Sequence, residues 1–268
     1  MLKTVSLSLE ILKMFTKEKP TWGGRELAAE INENHSKVYR ILETLESQNF
    51  LIKHKETKTY SLGLAVWELG NTLAESIQMK ELIHPILEKV NSVTNESVFL
   101  TFLDGDEGLT IDAVEARATV RFSVSIGSRT PLYTGASYRS ILAHMPPAFI
   151  DRYLKNQFTK YTEKTMIDPE AIREDLKLIR ENGYAISEGE YTKDVIAVAI
   201  PVFYKDMIIG SLTASGPTYR ISNDHIKLFV TELLKAKEEL NLIIEKYGFY
   251  FDHSNMGRGI DYEFSRYS

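Results

Sequence analysis

Apolar positions divide the chain into segments of different period. Val5, Leu9, Leu12 and Phe15 recur at helical spacing after Thr4, Ile11 widens the stripe, and together they predict a first helix. Pro20 ends the turn that follows. Leu27, Ala28 and Ile31 form the apolar side of a short second helix that stops near Asn32-Glu33-Asn34, where two asparagines favour a turn. Val38, Ile41, Leu42 and Leu45, at i, i+3, i+4 and i+7, predict a third helix ending near Asn49. Phe50-Leu51-Ile52, a charged turn from His54 to Lys58, and Tyr60, Leu62 and Leu64 then read as a hairpin. Three short helices and a ribbon within residues 1–64 are the layout of a winged helix-turn-helix.

Residues 65–80 continue as a helix joining this domain to the rest of the chain, with Val66, Leu69, Leu73 and Ile77 as its stripe and Trp67 beside it. A second stripe, Ile83, Ile86, Leu87 and Val90, is interrupted by Pro85, which fits only a first helical turn, so two helices are expected to meet near His84. From Ser97 the period becomes two. Val98–Leu103, Leu109–Val114 and Val120–Ile126 read as strands, followed by helices at Tyr138–His144, Ala148–Leu154 and Pro169–Glu181. Asp168-Pro169 starts the last of these and Asn182-Gly183 stops it. Tyr184–Ser187, Val195–Phe203 and Ile208–Ser215 complete a sheet, and a helix from Ser222 to Tyr247 closes residues 81–247 as an α+β domain.

Charge changes this picture more than bulk composition does. The net charge is −5, but residues 1–64 carry 10 Lys/Arg against 8 Glu and no Asp, leaving the acidic excess to the remainder. Only the first domain is therefore suited to a polyanion. Cysteine is absent, which excludes disulfides, thiolate metal sites and cysteine nucleophiles. The longest run without a charged residue, Met207–Tyr219, is 13 residues, short of the ~18 of a membrane span. Glu10 and Lys13 interrupt the apolar N-terminus, which is no signal peptide. A cytoplasmic protein without membrane contact is expected.

On the third helix, the inward Val38, Ile41, Leu42 and Leu45 leave Ser36, Lys37, Arg40 and Thr44 on the opposite face, with Tyr39 beside them and His35 at the entry. Hydroxyl, cationic and aromatic groups are what phosphates and major-groove base edges bind, so double-stranded DNA is the expected partner. Lys53, Lys55 and Lys58 in the wing would add phosphate contacts.

Five stretches resemble the IclR family of bacterial transcription regulators: LAAEINENHSKVYRILETLESQNFL at Leu27–Leu51, TYSLGLAVWELG at Thr59–Gly70, VRFSVSIGSRTPLYTGASYRSILA at Val120–Ala143, RENGYAISEGE at Arg180–Glu190 and GSLTASGPTYRIS at Gly210–Ser222. The resemblance implies a DNA-binding winged helix, a linker helix and a GAF-like effector-binding domain, assembled as a homodimer or homotetramer. In the family, the positions matching Phe122, Gly135, Ala136, Ser137, Ser187, Glu188, Val195, Ala197, Thr213 and Ser215 line the effector pocket. Independently of the resemblance, Gly135-Ala136-Ser137 opens a helix whose N–H groups favour an anion, and Thr213 and Ser215 share a face. Where the family usually carries glycine, this chain has Tyr138 and, nearby, Asp194; near Ala197 a cysteine is often found. These departures widen the expected effector from a small carboxylate to a polar aromatic compound.

Metal and nucleotide motifs are missing: the six histidines lack H-E-x-x-H spacing, and neither G-x-x-x-x-G-K-[ST] nor G-x-S-x-G occurs. A ligand-responsive regulator that binds an inverted-repeat operator, with no cofactor and no catalysis, is the expected function. The alternative is a GAF-type small-molecule sensor or enzyme whose N-terminal module binds protein. Residues 248–268 form a tail for which disorder is the default of a terminus, while its six aromatics leave docking on a neighbouring subunit open.

Overall fold

The computed structural model describes residues 2–17, 19–77 and 79–247, the side chains of 73–80 and 247 excepted, so the expected tail at 248–268 lies outside the described residues. The chain divides into two compact units, Met1–Ile77 and Gln78–Ser268.

The first unit runs α1 (Lys3–Lys13), β1 (Trp22–Gly23), α2 (Gly24–Glu30), α3 (His35–Ser47), β2 (Leu51–Lys53), β3 (Thr59–Leu62) and α4 (Leu64–Ile77). Asn34 starts α3 by accepting the Ser36 amide at 2.9 Å. The two strands of the wing were expected; the two-residue β1 was not. Trp22 is buried opposite Tyr60, and the sheet order is β1-β3-β2. The core gathers Leu7, Ile11 and Phe15 with Leu27, Val38, Ile41, Leu42, Leu51 and Tyr60. This corrects the stripe read along the first helix. Leu7, Ile11 and Phe15 form the buried i, i+4, i+8 row, whereas Val5 and Leu9 are 53% and 55% exposed. Apolar residues fall on more than one side of this helix, so two stripes fit helical spacing and packing against α3 selects one. On α4, Leu64, Trp67 and Leu69 are also exposed. Leu73 and Ile77, which complete the expected stripe, have side chains outside the described residues.

The second unit runs α5 (Met79–Leu82), α6 (His84–Thr94), β4 (Ser97–Asp104), β5 (Glu107–Val114), β6 (Arg129–Pro131), α7 (Gly135–Leu142), α8 (Pro147–Tyr153), α9 (Pro169–Asn182), β7 (Ala185–Glu188), β8 (Val195–Tyr204), β9 (Met207–Pro217), a short 3₁₀ turn (Thr218–Arg220) and α10 (Asn223–Tyr247). The strands form one antiparallel sheet in the order β6-β5-β4-β9-β8-β7. One face is apolar. Val98, Leu100, Val198, Ile200, Leu212 and Ala214 pack there on Ile83, Leu87 and Val90 of α6 and on Phe229, Leu233 and Leu240 of α10. Each large aliphatic buried in this way contributes roughly 1.5–3 kcal/mol. Against the other face lies α7, every residue of which is buried, itself backed by Ile172, Leu176 and Ile179 of α9.

The strand expected at Val120–Ile126 is absent. Its alternating pattern is real, but Val120 and Ile126 are 58% and 62% exposed, and the backbone is held by side chains. Ser97 Oγ donates to the Phe122 carbonyl at 2.5 Å, and Arg220 donates to that of Val120. The edge strand is instead β6, pairing Gly108 with Thr130.

Candidate functional site

In the first unit, α3 presents the expected polar face, though its members differ in freedom. His35, Ser36, Arg40 and Thr44 are exposed. Thr44 spends its hydroxyl proton on the Arg40 carbonyl at 2.8 Å, keeping only acceptor capacity. Lys37 is tied at 2.8 Å to Glu33, whose carboxyl it holds below its ordinary pKa. Tyr39 does not stand free: it contacts the His35 ring at 4.4 Å and packs on Gly24, where a Cβ would come within 2.8 Å of its ring. It therefore fixes α2 against α3. In the wing, Lys55 and Lys58 are exposed, Lys58 at φ +57° in the turn. The Lys53 ammonium sits 5.5 Å from the Tyr60 ring centroid, and the Tyr60 hydroxyl raises its pKa. Thr4 and Ser8 of α1, overlooked in the sequence, join Lys37, Arg40 and Thr44 around a groove of about 210 Å³. The apolar period of α1 drew attention away from the polar residues between.

In the second unit, strand register brings the other candidates together. Ser187, Ala197, Ser215 and Ser97 stand in one row across β7, β8, β9 and β4. Beside them run Ala185, Ala199, Thr213 and Phe99, then Pro201, Ser211 and Thr101. Directly paired residues share a face, so the face opposite α6 and α10 is small and hydroxylated. Val195 is on the same side of β8, two residues before Ala197. Phe122 reaches this face from the irregular segment, its ring 6.0 Å from that of Phe99.

Most of these hydroxyls are paired. Ser137 bonds to Ser211 at 2.8 Å and Thr101 at 3.1 Å, and Ser215 donates to the Ile196 carbonyl at 3.0 Å. Thr213 Oγ1 is buried with no hydrogen-bond partner, as is Thr134 Oγ1 at the start of α7. A buried, unpaired hydroxyl costs ~1–3 kcal/mol, so each is a place where a polar occupant lowers the free energy.

The amides that open α7 are not vacant as the sequence suggested. Gly135 N–H donates to Glu190 at 3.3 Å and Ala136 N–H to Ser187 Oγ at 2.8 Å. Glu190 also receives the Arg139 guanidinium through both terminal nitrogens, while Arg139 Nε donates to Asp175. Burial works against the Arg139 charge, yet Glu190 and Asp175 hold its pKa above the ordinary value. The carboxylate in the site is thus Glu190. Glu188 has the opposite strand parity to Ser187, is 54% exposed, and pairs with Lys164 at 2.6 Å. Gly189, at φ +67°, turns the chain between them. Ser211 was legible, since it lies two residues before Thr213 and so on the same face. Tyr138 lies over Gly108, where a Cβ would meet its ring at 2.5 Å. Burial raises its phenol pKa, against the opposing hydrogen bonds of Thr130 and Thr110. Asp194 adopts φ +59°.

Two family descriptions match the chain: the IclR helix-turn-helix domain over residues 4–54 and the bacterial transcriptional regulator IclR C-terminal domain over 71–242. The HTH-type transcriptional regulator KipR of Bacillus subtilis is 30% identical over 249 residues, covering 92% of this chain and 98% of the relative. The transcriptional repressor IclR of Escherichia coli is 24% identical, covering 90% and 89%. An IclR transcriptional regulator from Alicyclobacillus acidocaldarius superposes with a TM-score of 0.83 at 26% identity, over 91% of this chain and 99% of that one. An IclR homologue from Microbacterium hydrocarbonoxydans, solved with 4-hydroxybenzoate, shares the fold at TM-score 0.77 and 18% identity, over 89% and 99%. The relatives are regulators rather than enzymes, and no described helix is long and apolar enough to cross a membrane. This chain belongs to the IclR family of bacterial transcription regulators and is a DNA-binding regulator, not an enzyme.

Proposed function

We propose that this regulator is switched by a small metabolite bound on the hydroxylated sheet face, and that it acts in the cytoplasm as a homodimer or homotetramer on an inverted-repeat operator. The carrying observation is the unpartnered Thr213 hydroxyl, buried amid paired ones and directly opposite Phe99. It asks for a hydrogen bond, and the Phe99 and Phe122 rings beside it favour an aromatic body. Because Glu190 and Ser187 already occupy the α7 amides, an incoming carboxylate competes with an internal one. A polar aromatic compound avoids that competition. The 4-hydroxybenzoate solved with the Microbacterium homologue has the aromatic body and a phenol to meet a hydroxyl, but it also carries a carboxylate, so it supports the aromatic part of this reading and not the avoidance of an acid.

On the DNA side, Arg40 is the side chain of α3 best suited to a base edge, being exposed and without the acid that holds Lys37. Lys55 and Lys58 serve phosphates. Exposed Leu2 just before α1, Val5 and Leu9 on it, and Leu64, Trp67 and Leu69 of α4 supply apolar surface for a second copy. Light scattering at micromolar concentration tests assembly, and a monomer with and without DNA would refute it. A thermal-shift screen of metabolites tests the effector site, since a ligand of the native state raises apparent stability. Failure of every polar aromatic compound to shift the midpoint would refute that part.

A further inference from the structure

A second cavity, of about 430 Å³, opens between the β4–β5 hairpin tip and the segment after α8. That volume lies within the ~300–1,000 Å³ of small-molecule sites. Its walls are aromatic: Tyr133, Tyr153 and Phe158 line it, the first two buried, with Tyr133 and Phe158 ring centroids 4.4 Å apart and Tyr153 and Phe158 6.1 Å apart. Tyr133 spends its hydroxyl proton on the Thr159 carbonyl at 2.6 Å, so its phenol oxygen keeps only acceptor capacity.

Asp106 and Glu107 stand at one side of the cavity, and no lysine or arginine lines it. Arg129 compensates part of the local charge, bonding Asp104 and approaching Glu107 at 3.6 Å, and these two carboxylates share its one guanidinium. Asp106 has no ion-pair partner among the described residues. Aromatic faces attract a cation within about 6 Å of the ring centroid, and a nearby carboxylate adds to that attraction. A carboxylate ligand would meet like charge, and a neutral one would leave the acids unused.

We propose that this cavity binds a small organic cation of the alkylammonium class, at a site separate from the hydroxylated face around Thr213. The test is isothermal titration calorimetry of the full chain at low ionic strength with choline, and with its neutral isostere 3,3-dimethylbutan-1-ol. Saturable binding of one choline per chain is expected, with the alcohol at least tenfold weaker. Phe158→Ala should weaken choline at least fivefold, and Asp106→Asn at least threefold with a smaller salt dependence. Asp106 is exposed and Phe158 half-buried, and circular dichroism checks the fold of both variants. Thr213→Val should leave choline affinity unchanged. Absence of choline binding, equal binding of the alcohol, or indifference to both cavity variants would overturn the proposal. The readout needs neither DNA nor effector, so it fails or succeeds independently of the switching scheme.

Discussion

Arg139 closes its guanidinium on the carboxylate of Glu190, and that carboxylate also accepts the Gly135 amide at the start of the helix carrying Arg139. The protein has thereby placed its own anion where a helix N-terminus would recruit one. Glu190→Gln leaves a buried guanidinium with Asp175 alone. It should cost about 3 kcal/mol, the lower end of the range for breaking a buried pair. Urea unfolding followed by circular dichroism measures this, and a loss below about 1 kcal/mol would show that the pair is dispensable.

Thr213→Val should separate binding from stability. Removing an unpaired buried hydroxyl at constant shape leaves stability unchanged or slightly raised. Loss of the hydrogen bond to a ligand should weaken effector binding by about fivefold, equivalent to ~1 kcal/mol. A destabilised variant with normal ligand affinity would mean that the hydroxyl serves the fold.

His144 makes stability depend on pH. Burial lowers its pKa below the ordinary 6.5, the Ser140 carbonyl opposes this, and Arg180 and Lys237 add to the lowering. The unfolded chain therefore takes up a proton that the folded protein resists. The contribution is fully present above 6.5 and is lost as pH falls toward the folded value. The urea midpoint should drop between about pH 7 and about pH 5.5, and His144→Gln should flatten that slope. Parallel slopes for the two proteins would contradict the assignment.

DNA recognition divides between base and backbone contacts. On a duplex selected from a random pool, Arg40→Ala should lose about 1–3 kcal/mol of specific binding, while Lys55→Ala should mainly reduce the salt slope, by about 1. The selected duplex should be an inverted repeat with half-sites about 34 Å apart or a multiple of that. Undiminished specific binding by Arg40→Ala would move the reading face elsewhere.

Much of this architecture was written in local pattern. The helices of the N-terminal unit follow from apolar spacing, and Asp168 caps a helix as its position implied, whereas Asn34, read as part of a helix stop, also caps the next helix. What failed to show was chosen by long-range packing. Val5 and Leu9 look as buried as Leu7 and Ile11 until α3 is in place. Val120–Ile126 alternates like a strand, but no neighbouring edge pairs with it. Period-two spacing put Thr213 and Ser215 on one face, whereas the occupation of the α7 amides by Glu190 depends on residues 55 positions apart. The same spacing gave no means of choosing between Glu188 and Glu190, because the turn at Gly189 decides it.

Coupling between the two units is tested most directly by fluorescence anisotropy of the selected duplex, titrated with and without a polar aromatic ligand that raises thermal stability. Such a ligand should change the apparent Kd for DNA at least about fivefold, the lower end of typical allosteric coupling, and Thr213→Val should shift the ligand concentration needed. An unchanged DNA affinity at saturating ligand would contradict ligand-controlled binding.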